Sequence, residues 1–318
     1  MFIRSAHVET DLPAVTSIIN EFETQPVTVE EVHSWFAYSA PERVAVRLVS
    51  VGTDGLSFED VVTGYGYIYH DANAPLGHFS VWVGAALSFR GQGIGAALWY
   101  AVKEQLRAHS ATKLTSEVLD SEPSSLAFAE RRGFTISRRL FHSALDLETF
   151  DETPYLDHIR ALEMEGIRFC ALADFPDTPE TRRNLFELNL ANSLDIPGVD
   201  HVPWDFDSFE KFVLNAPWFH RKGQLLAVDG ETWVGLAAVS LDPDTRNAYN
   251  LHTGVARAYR GRKIAQALKV MAGRYARQHG MRTITTDNDS DNAPILAINR
   301  KMGYQPQPGK YQLTADFA

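Results

Sequence analysis

The sequence predicts an α+β protein made of two tandem copies of one domain, each a mixed, mostly antiparallel sheet flanked by helices. Three observations carry this. The chain has 318 residues, long for a single compact core. A stretch beginning at Phe79, "FSVWVGAALSFRGQGIGAAL", returns at Tyr249 as "YNLHTGVARAYRGRKIAQAL", an offset of 170 residues. Around both stretches, short apolar runs of strand length flank one long amphipathic helix.

The register persists. Gly84 falls on Gly254, Arg90 on Arg260, Gly91 on Gly261 and Ile94 on Ile264. Farther on, Arg107 falls on Arg277, Thr115 on Thr285 and Gly133 on Gly303, with no gap across about 55 positions. A period this long marks duplicated domains rather than a solenoid. Upstream, "FIRSAHVETDLPAV" resembles "IRFCALADFPDTPE": an Ile-Arg strand followed by a helix start at Asp-x-Pro. The expected ranges are 1–149 for the first domain and 166–318 for the second. Residues 150–165, "FDETPYLDHIRALEME", read as a connecting helix stopped by Gly166.

Each copy opens with a short strand and a helix. A strand pair follows, "RVAVRLVSV" with "VVTGYGYIY" and "GQLLAVDG" with "TWVGLAAVSL"; Asp229-Gly230 is a good hairpin turn. Next come a strand over 79–85 or its repeat, a glycine loop, and a helix whose apolar face is Ile94, Leu98, Ala101, Val102 and Leu106. In the second copy that face is Ile264, Leu268, Met271, Ala272 and Ala276. A strand ("KLTSEVL", "RTITTDN"), a helix ending at Gly133 or Gly303, and a last strand complete the copy.

Composition is ordinary for a globular chain, with 45% hydrophobic and 22% charged residues. A net charge of -10 argues against a nucleic-acid binder and suits a cationic partner. The single cysteine, Cys170, lies in the apolar run "IRFCALA" and reads as a core residue; a lone thiol fits a reducing compartment. The first residues lack a signal-peptide core, and no stretch approaches a membrane span. A cytoplasmic protein without membrane contact or metal is expected. Packing of the two copies as a pseudo-dimer is compatible with a monomer, and a homodimer stays open.

"RGQGIG" opens the long helix of the first copy. A helix N-terminus carries unpaired N–H groups and partial positive charge, and glycines let an anion approach them. The loop therefore reads as a phosphate cradle, with Arg90 as a charged clamp. A P-loop is excluded, because Ile94-Gly95 stands where Lys-Ser/Thr is needed. Gly91, Gly93 and Ala96 fit a dinucleotide-binding fingerprint, with Glu117 downstream. The second copy, "RGRKIA", keeps neither later glycine and decides against that reading.

What recurs, Arg-Gly followed by Ile and a small residue between a strand and a helix, resembles the acetyl-CoA pyrophosphate loop of the GCN5-related N-acetyltransferases (GNAT). "AFAERRGF" and "AINRKMGY" are similar to the ending of that family's fourth helix, and the resemblance covers both copies. It implies tandem GNAT-like domains, acetyl-CoA as cosubstrate, and a small amine, cationic amines included, as acceptor. The loop residues it implies are Arg90, Gly91, Gln92, Gly93, Ile94 and Gly95, and Arg260, Gly261, Arg262, Lys263, Ile264 and Ala265. The strand ends Ala85, Gly254 and Val255 lie where two central strands splay and where pantetheine would pair. Asn292 and Asn299 are implied as cofactor contacts, though Asn292 is equally a helix N-cap.

In the resembled mechanism an amine attacks the thioester directly, and a backbone N–H steadies the oxyanion. At pH 7 only about one alkyl ammonium in 2,500 is neutral, so a base adds ~10²–10⁴-fold. Candidate bases lie on the strand before each loop: His252, Tyr249 and Asn250 in the second copy, and Trp82, Phe79 and Ser80 in the first. Only the second offers an imidazole, His252, which also reads as a packed strand residue. The family's acid tyrosine on the fourth helix is replaced by Ala129 and Asn299; Asn299 can still hydrogen-bond sulfur or pantetheine. Lys263 replaces Gly93 of the first copy, and its side chain is expected to point outward. Catalysis is expected in the C-terminal copy. The alternatives are an active N-terminal copy, with its fuller glycine loop, or a non-catalytic acyl-CoA-binding regulator. Asp195, Asp200, Asp205, Asp207 and Glu210, alternating with Trp204, Phe206 and Phe209, fit either an amine pocket or a solvated loop with aromatic anchors.

Overall fold

The computed structural model describes residues 1–24, 26–37, 44–53, 60–70, 74–194 and 205–318. It resolves into two compact units, Met1–Arg139 with Pro308–Ala318, and Leu140–Gln307.

In the N-terminal unit, β1 (Phe2–Ser5) leads to α1 (Val8–Asn20) and α2 (Val29–Ala37). β2 (Val44–Thr53), β3 (Asp60–His70) and β4 (His78–Ala85) continue an antiparallel sheet in the order β1-β2-β3-β4. α3 (Ile94–Ala108) crosses to β5 (Lys113–Leu119), which runs parallel to β4. α4 (Pro123–Glu130) and β6 (Thr135–Asp146) follow. Two cores lie on opposite faces of the sheet. Leu12, Val15 and Ile18 of α1 pack with Val32 of α2 over Val49 and Tyr65. Leu98, Val102 and Leu106 of α3 are fully buried on the other side, each worth roughly 1.5–3 kcal/mol.

The C-terminal unit repeats this. α5 (Thr153–Met164), β7 (Ile167–Ala171), α6 (Pro179–Ser193) and the short α7 (Phe206–Phe209) precede the antiparallel set β8 (Gln224–Asp229), β9 (Thr232–Asp242) and β10 (Asn247–Val255). α8 (Ile264–Gln278) crosses to β11 (Thr283–Asp289), parallel to β10, and α9 (Ala293–Met302) and β12 (Gln305–Asp316) end the chain. The expected hairpin turn forms, with Gly230 at φ 58°. The expected connecting helix is α5, and Gly166 at φ 95° stops it. α5 buries Tyr155, Ile159 and Leu162 in the core of α8. α8 is buried on more than its predicted face: Gln266, Lys269 and Val270 are buried as well, Lys269 against Asn250 and Tyr304.

The compact units differ from the expected ranges at two strands. Lys310–Asp316 of β12 pair antiparallel with Leu119–Lys113 of β5, so the last residues of the chain complete the N-terminal unit. Leu140–Asp146 of β6 pair with Asp289–Thr283 of β11 and complete the C-terminal unit. Each unit closes with a strand encoded in the other copy. Two identical patterns satisfy the same sheet edge, so periodicity could not show which strand goes where.

In both units the crossing helix presses close to the β-hairpin because a glycine lies beneath it. A Cβ on Gly64 would sit 2.7 Å from Ile94 Cγ2, and one on Gly235 would sit 2.9 Å from Leu268 Cδ1. Among the described residues, no helix is long and apolar enough to cross a membrane. Cys170 is half-buried on β7, and burial pushes its thiol up, as suits a packing residue.

Cysteines introduced at Glu117 and Gln312, which face each other across β5 and β12, are expected to form a disulfide on mild oxidation of the full chain, read as a shift in non-reducing electrophoresis. Absence of that cross-link would contradict the exchange.

Candidate functional site

The site of each unit is built where two parallel strands part. β4 pairs with β5 over three positions only, ending at Ser80 opposite Thr115. β10 and β11 likewise end at Tyr249 opposite Thr285. Beyond those pairs the strands diverge, and the crossing helix starts above the opening.

The expected loops are in place. Gly91 (φ 78°) and Gly93 (φ 84°) take left-handed conformations that lead directly into α3. No atom lies within 4 Å of a Cβ built at either, so the helix N-terminus faces open space. Gln92 is exposed and Ile94 anchors the first turn in the core. In the C-terminal unit Gly261 (φ 79°) is similarly open, and Lys263 adopts φ 59° with an exposed side chain. Arg262 pairs with Glu165 at 2.7 Å. The conserved geometry of the two arginines differs from a phosphate clamp. Arg90 Nε donates to the Ala85 carbonyl at 3.3 Å, and Arg260 Nε to Val255 at 3.0 Å. Both side chains turn back and fasten the loop to the strand end.

The two openings are filled differently. In the N-terminal unit a cavity of about 1110 Å³ runs from the glycine loop past Trp99 and Phe128 to Tyr67, Trp35, Glu23 and Lys310. Trp82 stacks on Tyr67 (6.4 Å, 16°) and meets Phe22 edge-on. Lys310 of β12 reaches Glu23 at 2.6 Å and Glu117 at 3.5 Å. Burial, with the Glu117 and Glu23 charges behind it, pushes Tyr67 up to about 12, so its hydroxyl stays neutral.

In the C-terminal unit, polar side chains occupy the opening. β10 carries a bulge: Asn250 faces Val239 and His252 faces Ala238, leaving Leu251 between them. β4 pairs with β3 without a register shift over Gly64–Tyr69. Leu251 is thus an extra residue, and before it the structural counterparts move by one: Tyr249 occupies the place of Ser80, and Asn250 that of Val81. The gap-free sequence register fails there, which is why Tyr249 had seemed to match Phe79. Asn250 Oδ1 accepts from Lys269 Nζ at 3.1 Å and from Thr253 at 2.8 Å. Asn299 donates to Asn288 at 2.7 Å, and Asn288 in turn donates to Ser143 at 2.9 Å. Lys269 is only 1% exposed and lies over the Tyr304 ring at 4.8 Å. Burial lowers its ammonium to about 7.

Among the described residues, several buried polar atoms of this unit have no partner: His252 Nε2, Asn299 Oδ1, the Tyr304 hydroxyl and both amide atoms of Asn192. Asn192 stands against Gly254, where a Cβ would come within 2.5 Å of it. Each unpaired group costs ~1–3 kcal/mol. His252, the expected base, has its Nε2 shut from solvent, and burial lowers it to about 4. That keeps the ring neutral at pH 7 but makes it a weak proton acceptor. A second polar cluster, Tyr249, Asp287 and His142, lies on the face of the sheet toward α6. Sequence reading missed Lys269, Asp287 and His142. Lys269 hides in a helical pattern, and His142 arrives only through the exchanged strand. Asn292 caps α9 by accepting from Ile295 N at 3.4 Å.

Of the acidic-aromatic stretch, Asp195, Asp200 and Trp204 lie outside the described residues. The rest is structural. Asp205 caps α7 by accepting from Ser208 N, Glu210 pairs with Arg182 at 3.0 Å, Phe206 meets Phe186, and Phe209 is core; Asp207 sits in the first turn of α7.

Comparison with known proteins agrees with this geometry. The model of the Acetyltransferase (GNAT) family matches residues 12–134 and 191–304. A mycothiol acetyltransferase of Corynebacterium glutamicum (strain R) is 31% identical over 90 residues, 28% of this chain; the match spans only 30% of that relative's length. A GCN5-related N-acetyltransferase from Sphaerobacter thermophilus shares the fold at TM-score 0.67 and 20% identity, over 99% of this chain and 95% of that one. A tandem GNAT protein from the clavulanic acid biosynthesis pathway does so at TM-score 0.67 and 22% identity, over 99% and 98%.

Lys269 titrates below its ordinary value of 10.5, at about 7. Between those values the unfolded chain holds a proton that the folded chain lacks, so this group makes stability rise as pH increases from about 7 to 10.5. Lys269→Met should flatten that slope and raise stability at pH 7 by a few kcal/mol. Denaturant melts across pH 6–11 check this; an unchanged slope would mean that Lys269 is not held in the interior.

Proposed function

The chain belongs to the GNAT acetyltransferase family, and from that premise we propose that it is an N-acetyltransferase moving an acetyl group from acetyl-CoA to a small amine, with the reaction in the C-terminal unit. The observation that carries this placement is the bulge at Leu251 beside a parted strand pair whose buried polar groups lack partners. A bulge turns backbone groups out of the ladder, where a thioester can meet them.

The residues present suit the cosubstrate. The first-turn amides of α8, opened by Gly261, face space that a pyrophosphate can fill. Asn299 Oδ1 and the Tyr304 hydroxyl offer hydrogen bonds to the pantetheine arm or the sulfur. Burial holds Tyr304 far above its ordinary value, so it stays a neutral donor. The amine attacks the thioester carbonyl; the C–N bond forms, the C–S bond breaks, and the electron pair leaves on sulfur. Lys269 supplies positive charge within the opening to steady that thiolate.

A second reading places the reaction in the N-terminal unit. It is favoured by the open cavity there, which joins the glycine loop to an aromatic wall bearing Glu117 and Glu23. Its cluster of two carboxylates and one lysine would suit a cationic acceptor.

Lys263 and Gly93 occupy the same left-handed position before their helices, and aspartate tolerates that conformation. A carboxylate there suits the helix end but repels a pyrophosphate. Release of free thiol from acetyl-CoA would be followed with tyramine, spermidine, glucosamine and L-alaninamide. Lys263→Asp should raise the KM for acetyl-CoA tenfold or more, while Gly93→Asp leaves turnover near wild type. The opposite pattern would move the reaction to the N-terminal unit. No thiol release with any amine would favour a binding protein.

A further inference from the structure

The opening of the C-terminal unit has an ionisable cluster at its mouth that the preceding reading leaves unused. Tyr249 is the last β10 residue paired with β11. Asp287 stands two residues beyond its partner Thr285, on the same face of the sheet because strand side chains alternate. Asp287 lies opposite His142 on the exchanged strand β6. The three side chains meet: the Tyr249 hydroxyl donates to Asp287 Oδ2, and His142 Nδ1 lies 2.6 Å from Asp287 Oδ1. The imidazole lies edge-on to the Tyr249 ring with centroids 6.4 Å apart, and Tyr249 is the residue at which β10 and β11 part.

The cluster is accessible. The His142 side chain is 38% exposed and that of Asp287 66%. With Nδ1 committed to Asp287, Nε2 is left as the acceptor end of a neutral ring. The N-terminal unit has no such arrangement: Ser80 stands in the place of Tyr249 and bonds Thr115, and Glu117 faces Lys310.

We propose that His142 is the general base of the acetyl transfer, with Asp287 as the residue that orients it and Tyr249 as the residue that orients Asp287. This rests on placing the reaction in the C-terminal unit. Nε2 of neutral His142 takes the proton that the attacking amine sheds as its C–N bond forms. The C–S bond breaks, the thiolate takes a proton from water, and His142 returns its own proton to water, so amine and thioester become amide and thiol. Asp287 keeps Nδ1–H pointed at itself and balances the imidazolium, the arrangement by which a carboxylate directs a catalytic histidine.

The hydrogen bond to Asp287 raises His142 above its ordinary value against partial desolvation. Desolvation works to raise the Asp287 carboxyl, and its bonds from His142 and Tyr249 outweigh that and leave it low. The charged and titratable groups facing His142 are Asp287 from β11 and Tyr249 from β10. On its own strand, Arg138 and Arg139 precede it and are held by Gln312 and Asp120. A base raised in this way gives a kcat/KM that climbs with pH through a limb above 6.5, the ordinary imidazole value.

The test uses the full chain, acetyl-CoA, and whichever of the four amines above turns over fastest. His142→Ala is expected to lower kcat ~100-fold, leave the KM for acetyl-CoA within threefold, and remove the near-neutral limb. Added imidazole should restore part of the rate, which a merely structural histidine would not allow. Asp287→Asn should move the limb to lower pH. A wild-type pH profile in His142→Ala, a change in KM alone, or a loss that imidazole does not recover overturns the proposal. If Lys263→Asp keeps full turnover, the reaction lies elsewhere and the underlying reading falls with it. If Lys263→Asp is inactive while His142→Ala is silent, only the assignment of His142 falls. No turnover with any of the amines overturns both.

Discussion

Both candidate sites of this chain depend on one constraint: two parallel strands that pair for three residues and then separate. A parallel pair needs a crossover, and here the crossover is a helix whose N-terminus begins just past the separation. Gly64 and Gly235 let that helix come close enough to hold the strands apart without a void. The loop is then fastened by Arg90 or Arg260 to the last carbonyl of its own strand. What results is an opening with a helix dipole at one end and unpaired backbone along its sides.

The two copies use that opening in different ways. Aromatic rings and an open cavity fill it in the N-terminal unit, whereas the C-terminal unit lines it with Asn250, Lys269, Asn288, Asn299 and Tyr304. The second choice is costly for stability. A buried ammonium and several unpaired polar atoms work against folding, and an apolar lining would serve packing better. Retaining them is understandable if a polar ligand completes their hydrogen bonds. The bulge at Leu251 interrupts the ladder between β9 and β10 in the same region.

Strand exchange ties the copies together chemically as well as mechanically. His142 is encoded before the connecting helix, yet it faces Asp287 near the end of the chain. Lys310 travels in the other direction and meets Glu23 and Glu117. Neither cluster is complete within one copy of the sequence.

Apart from α2 and the short α7, which follow the first helix of each copy, the order of strands and α-helices could be read from the sequence, as could the duplication, the hairpin turn at Gly230 and both helix-opening loops. All follow from local rules: apolar period, turn residues and a repeated pattern of glycines. The family resemblance rested on the same local signals. Other features were decided only by the tertiary structure. The inserted residue at Leu251 is invisible to a gap-free repeat, because a bulge shifts the register of one strand while leaving its composition unchanged. The burial of Lys269 depends on Asn250 of β10 and the Tyr304 ring meeting it from distant parts of the chain. The direction of the arginines, toward the Ala85 and Val255 carbonyls, depends on where the strand ends. The meeting of His142 with Asp287 depends on which of two equivalent edges each final strand chose. Local patterns specify elements, but long-range pairing between similar elements is a choice among near-equal partners, and only the packed structure makes it.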